Sequence, residues 1–150
     1  MNARRLYLVS LASISLIVLT IVIGGLVKAH GAGLACGTDW PHCNGVLIPD
    51  LTDTGVLLEY MHRVVGGLAY LSIVYIALTL LRHGEKGLAS LALASLAAIT
   101  IQVLLGMAVV RSLLDQYLVA AHLSMAMVSL VGATILTVLL RVRVVRGCKG

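Results

Sequence analysis

The 150-residue chain has no phenylalanine, only six acidic residues, two prolines and three cysteines. Asp, Glu, Lys and Arg together make up 11% of it, against about a quarter of a typical soluble domain. That shortage excludes most soluble classes, whose surfaces need charge. Both prolines, Pro41 and Pro49, fall in one stretch, so the rest of the chain is free of the residue that removes a helical donor. The cysteines form no C-x-x-C pair, which counts against a membrane thiol oxidoreductase, since that chemistry relays electrons between two reactive pairs.

What is present in excess is apolar sequence, 60% of the residues. A hydrocarbon core of roughly 30 Å is crossed by about 20 helical residues. Four runs reach that length, Leu6–Val27, Leu58–Leu81, Leu88–Val110 and Tyr117–Leu140. The expected fold is all-α, a single integral membrane domain over residues 1–150 built as an up-down bundle of four transmembrane helices. The first run exceeds the roughly 7–15 residues of a signal-peptide core and reads as a retained helix.

The net charge of +5 suggests nucleic acid until its placement is considered. Arg4 and Arg5 precede the first run, Arg82 and Lys86 lie between the second and third, and Arg141, Arg143, Arg146 and Lys149 follow the fourth. Only Lys28, Arg63 and Arg111 sit near the opposite ends. The positive-inside rule then makes both termini and the loop around Gly84 cytoplasmic, in a multi-pass protein of the cell (plasma) membrane. The basic tail is expected to meet anionic lipid, and no nucleic-acid partner is expected.

Residues 82–87 and 111–116 make short loops, so consecutive helices are antiparallel neighbours and the second and fourth lie across a diagonal. The first outer loop, residues 28–57, is long enough to be functional or disordered. It holds both prolines, the only Trp, and Cys36 and Cys43. The cysteine pair argues for order. On the outer side, where disulfides persist, it reads as a structural disulfide, with a redox-exchanging pair as the alternative; Cys148, on the cytoplasmic tail, is expected to stay a thiol. No strong internal repeat is visible beyond a histidine shortly after an outer-end tyrosine, Tyr60 then His62 and Tyr117 then His122.

Those two histidines are the candidate iron ligands. A polar ring inside a membrane span is costly and usually functional. Counted from Leu58 and Tyr117, His62 is about 6 Å deep and His122 about 8 Å, at 1.5 Å per residue. Diagonal axes lie roughly 12–14 Å apart when neighbours are 8–10 Å apart, a gap that two imidazoles and a shared haem iron fill. The bland alternative for each is a hydrogen-bonded interhelical residue. Small residues one turn deeper, Gly66, Gly67 and Ala126, are expected to make room for a porphyrin face. Gly24, Gly25 and Gly106 are read at least as well as simple helix-packing glycines. His30, His42 and His83 fall in loops and read as solvated.

Glu59 lies three residues before His62, on the same helical face. It is a candidate acid or base at the edge of a bound haem, or else an interfacial carboxylate paired to Arg63 or Lys28. Lys28, Arg63 and Arg111 stand at the right level for haem propionates, although such side chains also snorkel to headgroups.

At this point the residues match a family. GGLVKAHGAGLACGTDWPHCNG at the end of the first helix, EYMHRVVGG opening the second, IQVLLG in the third and YLVAAHLSMA in the fourth resemble the heme A synthases. The resemblance covers nearly the whole chain and implies that haem O is converted to haem A by oxidising a ring methyl to a formyl group. By position it implies His62 and His122 as iron ligands, Glu59 as a catalytic group at the reacting edge, and Cys36 and Cys43 as an outer pair that helps haem transfer or maturation. Family members usually have two such halves, the second holding a haem b cofactor; this chain resembles the N-terminal half. Lys28 stands where the family prefers Arg, and His30-Gly31-Ala32 where a Thr/Ser-containing turn is usual.

A bis-His b-type cytochrome, carrying electrons without altering its haem, is the competing reading. The half-length pattern also predicts a homo-oligomer, dimer or trimer, with Ser13, Gly24, Ala94, Ala98 and Gly106 on outward faces available for close approach, or equally for packing within the bundle. Expected partners are haem O, membrane lipid, a haem O synthase and an electron acceptor.

Overall fold

Proline-free apolar runs wind into helices that overshoot their apolar limits, because polar termini add caps beyond them. In the computed structural model, which describes residues 2–147, α1 spans Ala3–Ala29, α2 Thr54–Arg82, α3 Lys86–Arg111 and α4 Gln116–Gly147. Among the described residues these four are the only helices and there is no β-strand. All four are long and apolar enough to cross a membrane. Cys148 and Lys149 lie outside the described residues.

Three of the four starts have a side-chain cap, α3 being the exception. Asn2 accepts from the Arg5 N–H at 3.1 Å and Asp53 from the Val56 N–H at 2.9 Å. Asp115 takes the Tyr117 and Leu118 N–H groups, both at 3.0 Å. These are the orphan donors that helix N-termini leave. The Asp53 cap starts α2 a full turn before Leu58. At its other extreme, α4 absorbs Arg141 and Arg143 into the helix, so the basic sequence is helical as far as Gly147.

Helix α1 packs against α2 and α4, and α3 against α4 and α2, so α2 and α4 face each other across the diagonal as expected. The closest partners are the two hairpins, α1 with α2 and α3 with α4. Large buried side chains concentrate at the end that holds the termini, where Leu6, Ile76, Leu80, Leu136 and Leu140 interlock. Buried Ser10, Ser13 and Ser95 return their hydroxyls to carbonyls of their own helices, which lets neighbours approach without an unsatisfied donor. Ser13 is thus fully buried within the bundle, and Gly24 and Gly106 also point inward, against histidines. Of the five small residues expected on outward faces, Ala94 is exposed and Ala98 half-buried.

Candidate functional site

The other half of the bundle carries the polar groups. His62 on α2 turns toward α1, where its Nδ1 lies 3.0 Å from the Thr20 carbonyl. His122 on α4 turns toward α3 and does the same, with Nδ1 3.1 Å from the Gln102 carbonyl. A carbonyl can only accept, so each Nδ1 carries the proton and each Nε2 presents a lone pair. This is how metal-ligating histidines are commonly held.

The rings fit because a glycine sits one turn beyond each carbonyl. A Cβ on Gly24 would stand 2.9 Å from His62 Cε1, and one on Gly106 would stand 3.0 Å from His122 Cε1. Such distances are too short for carbon contacts, so these two glycines are required by the rings, a stronger role than simple helix packing. Each lies five residues before its helix ends, so the two imidazoles sit at matched levels. The small residues one turn deeper than the histidines differ in setting. Gly66 packs on Thr20, and Gly67 is exposed, because a one-residue step turns the helix surface by about 100°. Ala126 is buried, one turn below His122.

The pattern that ties the hairpins together is polar-x-x-x-Gly on the first helix and His on the second: Thr20, Gly24 and His62, then Gln102, Gly106 and His122. It is hidden in the sequence because the helices are joined by residues 30–53 in one case and by residues 112–115 in the other. Aligning each histidine with the glycine of the preceding helix would have exposed it, and with it the supporting residues Thr20 and Gln102.

Glu59 is buried, with 3% of its surface exposed, and both its oxygens are engaged. Oε2 accepts from the Cys36 N–H at 2.7 Å, and Oε1 pairs with the Arg63 guanidinium one turn along α2. Arg63 in turn donates to the His42 carbonyl at 2.8 Å. One ion pair therefore grips the outer loop at two points, Cys36 and His42 beside Cys43. Cys36 and Cys43 are joined as a disulfide with Cα atoms 4.2 Å apart, and both are buried. The loop is closed by Asn44, whose side-chain amide donates to the Ala35 carbonyl at 3.0 Å.

Lys28 and Arg111 are exposed at the loop end of the bundle. Arg111 lines an open cleft of about 560 Å³ with Thr38, Asp39, Trp40, His42 and Leu113. His30, His42 and His83 are exposed, in keeping with solvated side chains. Of the expected basic rim, Arg63 is thus committed to the loop, while Arg111 and Lys28 face outward.

A family model described as cytochrome oxidase assembly protein matches residues 4–56 and 50–146, almost the entire chain. The chain belongs to this family, that of the heme A synthases. Family members similar to it include the heme A synthase of Staphylococcus haemolyticus, 29% identical over 130 residues, which covers 85% of this chain and 43% of that one. The heme A synthase of Staphylococcus aureus is 29% identical over 119 residues, 78% of this chain and 39% of that one. A protoheme IX farnesyltransferase of Thermus thermophilus is 43% identical over 70 residues, 47% of this chain but 12% of its own length. The chain thus spans less than half the length of these relatives. No solved structure matches it. The family and the four spans make it a multi-pass membrane protein.

The residues present suit a haem. Two imidazoles offer lone pairs from diagonal helices, and among the described residues no third His, Cys, Asp or Glu gathers with them. Such a two-donor set matches an iron whose equatorial positions belong to a porphyrin.

Proposed function

We propose that the chain acts as a heme A synthase: it holds haem through His62 and His122 and oxidises one ring methyl of haem O to the formyl of haem A. The reading rests above all on the two anchored imidazoles, in a chain whose relatives include named heme A synthases. The bound haem would supply the iron and the conjugated ring through which electrons leave the methyl. The formyl oxygen comes from water, and an external electron acceptor takes the electrons.

The chain's own residues do the rest. Thr20 and Gln102 fix the tautomer and aim of each ring. Arg111 and Lys28 offer charge to the propionates at the loop end, one turn or slightly more outward of Gly106 and Gly24. Arg63 serves the propionates indirectly, by seating the loop. Glu59, one turn outward of His62, exchanges protons at the reacting edge when Arg63 releases it. The loop end is extracytoplasmic and the termini cytoplasmic. Because the family's long members use two halves, this chain is proposed to associate as a dimer or trimer, with haem b as the second haem. The farnesyltransferase relative suggests the upstream partner, since farnesylation of protohaem is the reaction class that supplies haem O.

Expression with a haem O supply, followed by pigment extraction, tests this. Haem A, or a hydroxylated haem O on the way to it, is the expected product. Haem B alone, on a bis-His spectrum, would instead identify a b-type electron carrier.

A further inference from the structure

The two site histidines are anchored alike but opposed differently. His62 Nε2 makes no hydrogen bond among the described residues, and the Thr20 hydroxyl that stands nearest in the pattern donates back to the Leu16 carbonyl at 2.8 Å. His122 Nε2 lies 3.3 Å from the Gln102 side-chain Nε2. Since His122 Nδ1 carries the ring proton, Nε2 can only accept, and only the amide nitrogen of Gln102 can donate to it. The chemistry thus fixes the amide orientation, which is otherwise ambiguous. Gln102 brackets the ring, its backbone carbonyl accepting a hydrogen bond from Nδ1–H and its side-chain amide donating to Nε2.

That orientation leaves Gln102 Oε1 buried with no hydrogen-bond partner among the described residues. Buried acceptors without donors are disfavoured, so the amide is held at His122 at the expense of its own oxygen. An iron arriving at His122 Nε2 has to displace the amide first, whereas at His62 it meets a bare lone pair.

We propose that Gln102 is a positioning residue that competes with iron for His122, making His122 the exchangeable axial ligand and His62 the permanent one. This rests on the bis-His reading above. It gives the site a built-in means of opening one coordination position without losing the haem.

The test uses the full chain in mild detergent, comparing the wild type with Gln102→Leu, which keeps bulk but cannot donate. In haem-free protein labelled with 15N-histidine, the substitution is expected to move the His122 Nε2 resonance toward that of a free acceptor and leave His62 unmoved. In ferric haem-loaded protein, cyanide should displace His122 about fivefold less readily in Gln102→Leu than in the wild type, the factor of a single neutral hydrogen bond. Cyanide affinities equal within about twofold, or an unmoved His122 resonance, would overturn the proposal. Gln102→Met repeats the measurement if the Leu variant misfolds. Loss of haem from both variants would also overturn it, since Gln102 would then promote ligation rather than oppose it. Failure of the wild type to bind haem at all would defeat the bis-His reading itself, and is seen before any variant is made.

Discussion

Each site histidine divides its labour between two nitrogens, Nδ1 tied to a carbonyl of a neighbouring helix and Nε2 left with its lone pair. Replacing His62 or His122 by Ala is therefore expected to abolish or shift a low-spin haem spectrum, whereas His30, His42 or His83 replacements leave it intact. An unchanged spectrum and full haem content in His62→Ala would refute the assignment. The glycines should be nearly as intolerant. In Gly24→Ala and Gly106→Ala the new methyl meets an imidazole carbon at or inside 3.0 Å. The expected cost is about 1–3 kcal/mol, read as a lowered unfolding midpoint, whereas Gly67→Ala, at an open position, should be neutral or stabilising. Glu59 separates structure from chemistry. Glu59→Ala strips the Cys36 N–H and the Arg63 guanidinium of their acceptor and should destabilise by roughly 3 kcal/mol. Glu59→Gln keeps an acceptor for Cys36 but sets an amide NH2 against Arg63, so it should loosen the loop less than Glu59→Ala while slowing haem A formation. Full activity in Glu59→Gln would reduce the residue to a loop anchor.

The outer loop behaves as one unit because its closure is internal and its attachment to α2 is polar. Cys36 and Cys43 are expected to resist thiol reagents until reduced, being disulfide-linked and buried; prompt labelling in an oxidised preparation would count against the linkage. The α3–α4 turn shows the opposite economy. Leu113 and Leu114 both adopt positive φ, 56° and 68°, in the region that favours glycine. Leu114 is kept there by packing, since its side chain lies against Gly33 of the outer loop. Leu113 is 69% exposed and has no such compensation. Leu113→Gly should accordingly raise stability by about 0.5–1 kcal/mol, seen as a higher thermal midpoint with unchanged helicity.

At the scale of the whole molecule, orientation and stoichiometry are the properties to measure. With the termini cytoplasmic, as proposed, Cys148 should react with a membrane-impermeant reagent only after the bilayer is breached; labelling from outside would invert the topology. Native mass in mild detergent, measured with haem per chain, reads the association directly. A monomer that makes haem A with a single haem would sink the pairing proposal. Of the small residues that could serve either an interface or the bundle, Ser13, Gly24 and Gly106 pack inside, so such an interface has to use the apolar flanks.

Hydropathy, charge and loop length were enough to determine four spans, their antiparallel order and the α2–α4 diagonal, because those properties depend on the one-dimensional pattern against a bilayer of fixed thickness. The two histidines stood out for the same reason, as polar rings where polarity is costly. What lies around them could be decided only in three dimensions. Arg63 could serve a propionate or a carboxylate until folding put Glu59 and the His42 carbonyl within its reach. Gly24 and Gly106 could be packing glycines or ring seats until the rings were placed against them. Gln102 was one amide in an apolar helix until α3 met α4. Pattern along a chain fixes which residues leave water, whereas the partner each polar atom finds is set by contacts between helices that the chain order does not contain.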